Sequence, residues 1–496
     1  WENDDATDII LMYIENFGNP RNFSRIAKKV TKKKPVLVLK SGRSEAGARA
    51  AKSHTGVLAG LDIAVDALLE QCGVLRVQSM EELFDLATAF LAQPLPLGPN
   101  VAIVTNAGGP GILAVDALVS YNMNIAKFSD ETLKKLQSSL PTTCSITNPI
   151  DLIADATPER YKIALDAVYN DKNVDAVIVI FVPPIITEEL DVIKTIVESS
   201  KKHNKTTLAC IVGRDIHSRP FMELSNNNIP AYTFPENCAR TLSALLKYKL
   251  YKTRDEGELH PVSVDKPRIK NIIEKAKSEG RTNLNPEEAM TILRNYGFVT
   301  TKIYLSEDKN RILAYAKEIG YPLVLKLYSE NVIHKTDMGL VIMNIHDTTE
   351  LENAISRIEE KAYIHSIKNY QFLIQEQINP GIEIIMGMFS EQKFGPIIMF
   401  GLGGIYTEIL KDVSFKIPPI TDIEARKMVQ SIKSYPLLTG YRSKTPPVNE
   451  RIIERYLMNL SQLVLDFPEI EQLDINPIII HTDSAKVVDT RMTIRD

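Results

Sequence analysis

Cysteine is scarce: four residues in 496, at positions 72, 144, 210 and 238, with no C-x-x-C spacing among them. This excludes a disulfide framework and a zinc knuckle and points to buried thiols in a reducing compartment. Long apolar runs are also missing, and no stretch reaches the roughly 18 residues that a membrane span needs. Nor is there a basic excess. Lys and Arg number 58 against 62 Asp and Glu, a formal charge of -4, which gives nucleic acid no overall attractive field. Low-complexity tracts, short repeats and a signal peptide are absent, and the chain opens at Trp1 rather than Met, as a fragment or processed chain would. What is present is an ordinary globular composition, 44% apolar and 24% charged, over a length that suits about three or four domains. A soluble cytoplasmic enzyme that touches neither nucleic acid nor membrane is the expectation.

Strand and helix patterns alternate from the start: strands over 9–14, 36–39 and 74–77, helices over 23–30, 57–69 and 80–91. Such alternation implies a parallel sheet. The proline-rich run 94–99 breaks the pattern, which restarts with strands over 101–104, 174–181 and 207–212 and a helix over 188–201, a second doubly wound domain. Boundaries follow at 1–95 and 96–250, with a charged, solvated linker over 251–280. Residues 281–496 shift to an α+β pattern: a helix over 286–296, a strand over 321–327, a hairpin over 339–345 and strands over 372–375, 382–388 and 396–400.

Residues 40–56 join a strand to a helix and combine glycine and small residues with Lys40, Arg43, Arg49, Lys52 and one histidine, His54. A helix beginning near Thr55 would aim free N–H groups and its positive end at His54, favouring a phosphoryl group by about 0.3 to 1 kcal/mol. A lone histidine is more often a capped or solvated residue. A glycine turn, Thr105 to Gly111, lies between a strand and a helix; its consecutive N–H groups can form an anion nest, although such turns serve equally as tight connections.

The sequence Ser53-His54-Thr55-Gly56 after a Gly-Arg-Ser loop resembles the phosphohistidine loop of NDP-forming acyl-CoA synthetases and, more distantly, of succinyl-CoA synthetase. The resemblance covers nearly the whole chain. It implies that His54 carries the phosphoryl group, that Glu15 at a strand end orients it, and that Gly108, Gly109 and Gly111 face the phosphate. The run 148–152 (Asn-Pro-Ile-Asp-Leu) is another family signature; within it Asp151 has no chemistry legible in the sequence, and a structural cap serves as well.

The same resemblance implies a C-terminal ATP-grasp domain. In it Lys326, ending an apolar strand, would supply a point charge to a nucleotide phosphate, although a lysine there is otherwise a snorkelling surface residue. Gln375, Glu376 and Gln377 would form the adenine hinge, and Glu383 would be the ribose- or amine-binding carboxylate. Asn476 and Asp489 would ligate Mg²⁺, a cation that prefers oxygen and keeps several waters, with Asp474 orienting the visiting histidine. Segments 333–337 and 401–412 are also close to family signatures, and His334 is implied as a transient relay. The chain departs from the usual pattern in reading Met338-Gly339-Leu340 where a double glycine is common.

An ADP-forming acyl-CoA synthetase is therefore the expected activity. ATP or ADP, phosphate, CoA and a small carboxylic acid are its reactants, a homodimer its assembly, and an N-terminal CoA-binding segment the part missing from this chain. His54 stands about 13 residues beyond Ser41, a reach of about 40 Å when extended, which suits travel between two sites. The alternatives are an ATP-grasp carboxylate ligase without phosphohistidine, which leaves the His54 loop unexplained, and a non-catalytic nucleotide sensor.

Overall fold

The computed structural model describes residues 1–42, 62–183, 189–329, 338–403, 412–440 and 446–495. They form two units, Trp1–Arg254 and Asp255–Asp496. Among the described residues no helix is long and apolar enough to cross a membrane.

In the first unit β1 (Ile10–Ile14), β2 (Val36–Lys40) and β3 (Leu75–Val77) make a parallel sheet in that order. Val36, Leu37 and Val38 are all buried, as a parallel strand covered on both faces requires. A second parallel sheet comprises β4 (Asn100–Thr105), β5 (Asn124–Ile125), β6 (Ile150–Asp151), β7 (Ala176–Phe181), β8 (Thr206–Ile211) and β9 (Ala231–Tyr232), in the order β5-β4-β7-β8-β9. Strand alternation divides its side chains between two cores. Val177, Val179 and Phe181 pack with helices Pro158–Asn170 and Glu189–Lys201. Ala176, Ile178 and Ile180 pack with helices Gly108–Ser120 and Pro235–Thr253. The sheet is thus doubly wound.

Helix Pro235–Thr253 serves both sheets. Its Leu242 and Leu245 belong to the core of the second, while its Tyr248 packs with Leu37 and Leu75 of the first. One turn on, the Tyr251 ring lies against Gly73, where a Cβ would fall 2.1 Å from the ring and where φ is +67°. The Arg254 guanidinium stacks over the same ring at 4.3 Å.

The second unit is built on two antiparallel sheets. The smaller has β10 (Ile303–Ser306), β11 (Leu323–Tyr328), β12 (Val341–Ile345) and β13 (Gln371–Glu376), in the order β10-β13-β11-β12, backed by helices Lys309–Ile319 and Thr348–Ile364. The larger has β14 (Ile382–Glu391), β15 (Gly395–Leu402), β16 (Val413–Lys416), β17 (Ile470–Ile480), β18 (Ala485–Val487) and β19 (Thr490–Ile494). Its order is β16-β15-β14-β17-β18, with β19 also pairing to β17. Helices Pro286–Asn295, Asp422–Ser431 and Glu450–Asp466 supply its core.

Two expectations differ from the structure. Residues 339–345 do not fold back on themselves as a hairpin; Val341–Ile345 is an edge strand against β11, with a bulge in its register. Asn344 takes the left-handed conformation there, φ +59°. The Gln377 side chain holds it, accepting from the Asn344 N–H at 2.7 Å and donating to its Oδ1 at 2.6 Å. The extra residue lets Ile345 rejoin Leu323 in the core. The charged stretch read as a linker contains helix Lys266–Ser278, which buries Ile269, Ile273 and Ala276 in the larger core. Its cations occupy the outer face, and their number masked an amphipathic stripe.

Candidate active site

A cleft of about 750 Å³ in the second unit collects residues from both sheets. Lys326, Gln375, Glu376, Gln377, Asp474, Asn476 and Asp489 all line it. Apolar side chains, Val324, Val341, Leu373, Ile378 and Ile479, line it together with the polar and charged ones.

Around Asp474 the strand β17 and its partners set the geometry. Asp474 is directly opposite Arg491 across the β17–β19 ladder. Burial pushes the Asp474 carboxyl above its ordinary value; the Arg491 guanidinium pulls it back, and Asp489 pushes it further up. Asn476 and Asp489 are drawn together by the backbone, the Asn476 N–H donating to the Asp489 carbonyl at 3.1 Å. The Asp489 Oδ1 accepts from the Thr490 N–H at 2.8 Å. Its other oxygen makes no hydrogen bond among the described residues. One carboxylate oxygen beside one amide oxygen fits Mg²⁺, which would take its further ligands from water and phosphate. Among the described residues no cluster of three His, Cys, Asp or Glu suits a metal, so a site built for zinc is not indicated there. Lys326, half-buried on β11, has no hydrogen bond or ion pair among the described residues and stands in the cleft as an available point charge.

The three hinge residues are not equivalent. The Glu376 carboxylate is turned to Lys486, at 2.5 Å, and its N–H donates to the Lys302 carbonyl. Gln377 spends its side chain on Asn344. Gln375 is 1% exposed, with Nε2 donating to Thr301 Oγ1 and to the Val488 carbonyl, both at 2.7 Å. Glu383 does not line the cleft. It is exposed on β14 opposite Ile479, which does line it, so Glu383 borders the cleft beside Ile479. Arg491 was not among the residues singled out by sequence. Its signal was the alternation along β19, which turns residue 491 away from the buried face of Thr490 and Met492.

In the first unit the carboxyl ends of β1 and β2 meet. Ile14 pairs with Lys40, and the Ser41 N–H donates to the Ile14 carbonyl at 3.1 Å. Glu15, half-buried, follows Ile14 directly. This is the edge where open parallel sheets take ligands. His54, Arg43, Arg49, Lys52 and His334 lie outside the described residues. The glycine turn opens helix Gly108–Ser120, whose N-cap Ala107 makes no side-chain cap bond. A Cβ at Gly109 would meet open space, whereas one at Gly111 would come within 3.2 Å of Thr105 and one at Gly108 within 3.1 Å of the Asp151 carboxylate. Gly111 therefore serves close helix–strand packing, and Gly109 leaves the approach clear.

Asp151 is a turn cap, its Oδ1 accepting from the Ile153 N–H at 2.9 Å. Asn148 fills the gap where β5 and β6 pair with opposite ends of one edge of β4. It accepts from the Ile103 N–H and donates to the Val101 and Ala126 carbonyls, at 2.8 to 3.0 Å.

Two parallel-sheet domains and a cleft between two antiparallel sheets define a nucleotide-dependent ligase architecture. The chain matches the succinyl-CoA ligase like flavodoxin domain over residues 1–90, the ligase-CoA domain over 101–254 and the ATP-grasp domain over 275–494. It is 40% identical over 496 residues to 4-hydroxybutyrate–CoA ligase (ADP-forming) of Nitrosopumilus maritimus, covering 99% of this chain and 71% of that protein. Identity is 37% over 499 residues to acetate–CoA ligase (ADP-forming) I of Archaeoglobus fulgidus, covering 99% and 70%. It is 38% over 492 residues to acetate–CoA ligase (ADP-forming) of Methanocaldococcus jannaschii, covering 97% and 69%. The chain belongs to the family of ADP-forming acyl-CoA ligases, acid–thiol ligases with two flavodoxin-like domains and an ATP-grasp domain.

Proposed function

We propose that the chain interconverts an acyl-CoA, ADP and phosphate with a carboxylic acid, CoA and ATP, through an acyl phosphate and phospho-His54. Phosphate attacks the thioester carbonyl and CoA leaves; the His54 imidazole takes the phosphoryl group as the carboxylate departs; a β-phosphate oxygen of ADP then takes it from His54. The covalent phosphoenzyme divides one difficult transfer into two easier ones, and a neutral imidazole is nucleophilic near pH 7. Glu15 orients His54 at the first site, where Gly108 and Gly109 present N–H groups to the phosphoryl oxygens, while the Gly111 N–H, expected to join them, donates to the Ala107 carbonyl at 3.4 Å. In the cleft Lys326 neutralises nucleotide phosphate, Asp474 receives the visiting imidazole, and Asn476 with Asp489 would hold Mg²⁺. His334 is a relay in this reading, and assembly as a dimer belongs to it. When bound, Mg²⁺ supplies charge neutralisation at the phosphates.

The observation that carries the reading is the convergence of Lys326, Gln375, Asp474, Asn476 and Asp489 on one cleft. The acid is a short-chain or hydroxy acid, a range that the names of the relatives, acetate and 4-hydroxybutyrate ligases, support. The test is incubation with γ-labelled ATP and Mg²⁺, followed by mapping of acid-labile, base-stable label in wild type, His54→Ala and His334→Ala. Loss of label with His54→Ala is expected. Tight ATP binding with no acid-labile label in the wild type would overturn the phosphohistidine route in favour of direct acyl-phosphate chemistry.

A further inference from the structure

Among the described residues two cations line the cleft, Lys326 and Arg491. They stand on different sheets, Lys326 on β11 of the smaller and Arg491 on β19 of the larger. Strand register fixes what lies beside Arg491, which is exposed. Gln472 is opposite Thr493 and Asp474 is opposite Arg491 across the antiparallel β17–β19 pair, and all four line the cleft. Opposed residues on one face of such a pair have Cβ atoms about 4.5 to 5.5 Å apart, so Asp474 and Arg491 are side by side on the cleft floor. Asn476, two residues along β17 from Asp474, also lines the cleft, roughly 7 Å further on. A carboxylate and a guanidinium thus adjoin each other one step from the residues that fit Mg²⁺.

We propose that Arg491 binds the phosphoryl group while it passes between His54 and the terminal phosphate of ADP, so that Asp474 and Arg491 together receive the phosphohistidine. The inference rests on the phosphohistidine reading of the function and adds the residue that holds the transferred group. A phosphohistidine with a protonated ring is bipolar, with an N–H donor at one end and three phosphoryl oxygens at the other. The Asp474 carboxylate suits the donor. The planar fork of Arg491 suits two of the oxygens at once. In the transfer the bond from phosphorus to the ring nitrogen breaks, its electron pair returning to the imidazole, as a β-phosphate oxygen of ADP bonds to phosphorus; Arg491 gives up no proton. Charge spreads over the three equatorial oxygens of the group in transit. Asp474 and Asp489, both in the cleft, repel that charge, and a cation beside Asp474 offsets the repulsion where the group must pass. Lys326, on the other sheet, serves the phosphates already on the nucleotide.

The experiment uses the full chain, Arg491→Gln and Arg491→Lys. Binding of ADP and of β,γ-methylene ATP, whose terminal group is not transferred, is measured with Mg²⁺, and acid-labile labelling from γ-labelled ATP is followed in a single turnover. Arg491→Gln is expected to bind ADP within about threefold of wild type, to lose about tenfold or more in affinity for the methylene analogue, and to label about 100-fold or more slowly. Arg491→Lys keeps the charge without the fork and should fall between the two; it carries the test if Arg491→Gln misfolds. Equal weakening of ADP and the analogue would overturn the inference. So would an Arg491→Lys that matches wild type in both readouts, since the guanidinium would then be only a counter-ion to Asp474. A wild type that binds ADP but never takes acid-labile label removes the phosphohistidine reading and this inference with it, whereas a labelled wild type whose rate Arg491→Gln leaves untouched removes the inference alone.

Discussion

Asp474 and Arg491 face each other across β17 and β19 in the cleft, and the guanidinium only partly offsets the burial that raises the carboxyl. A carboxyl raised above its ordinary 3.8 keeps its proton to higher pH in the folded state than in the unfolded one. Stability is therefore lost as pH rises through that interval. Asp474→Asn should unfold at a higher temperature than wild type at pH 7, with the difference closing as the pH approaches 4. Thermal scans at the two pH values decide it. The same variant should slow transfer from phospho-His54 to ADP, so stability and rate move in opposite directions.

Asp489 offers, among the described residues, an unengaged oxygen beside Asn476. Asp489→Asn replaces a carboxylate by an amide of the same shape and should weaken Mg²⁺-dependent autophosphorylation by about 100-fold or more, in the range of losing one electrostatic stabiliser. Single-turnover labelling against Mg²⁺ concentration measures this. A shift confined to the Mg²⁺ requirement, recovered at high metal, identifies the residue as a ligand.

Asn148 closes three backbone hydrogen bonds at the split edge of β4. Asn148→Ala removes the side-chain partner of the Ile103 N–H and the Ala126 carbonyl, while the Val101 carbonyl keeps the Ala126 N–H, and should cost about 1 to 3 kcal/mol, read as a lower denaturant midpoint with no direct effect on the cleft.

Gly73→Ala should be destabilising on two grounds, the left-handed backbone and the Tyr251 ring that a Cβ would strike. The expected loss is about 1 to 3 kcal/mol. Pairing it with Tyr251→Ala should recover the steric part, which a double-mutant cycle in urea resolves.

The sequence disclosed what is encoded locally. Ser53-His54-Thr55-Gly56 and the turn Thr105 to Gly111 are contiguous strings, and the parallel sheets follow from helices and strands that alternate at short range. Asn476 and Asp489 are near neighbours in the chain, brought together by one backbone hydrogen bond. What stayed hidden depends on distant partners. The Gln375 side chain is held by Thr301 and by the carbonyl of Val488, 74 residues earlier and 113 residues on in the chain. Gln377 is diverted to a bulge at Asn344, and Asn148 works through strands on either side of it. The helix Lys266–Ser278 escaped because three apolar residues sufficed to seat it in a core built mostly from later parts of the chain.

Helix Pro235–Thr253 contributes Leu242 and Leu245 to one sheet and Tyr248 to the other. The three-stranded sheet that launches the His54 loop therefore owes part of its interior to residues made more than 150 positions later. During synthesis it can only be completed once the whole of the first unit has emerged. A gene cut between the two sheets would part them within a shared interior, whereas a cut near Arg254 follows a seam the chain already has.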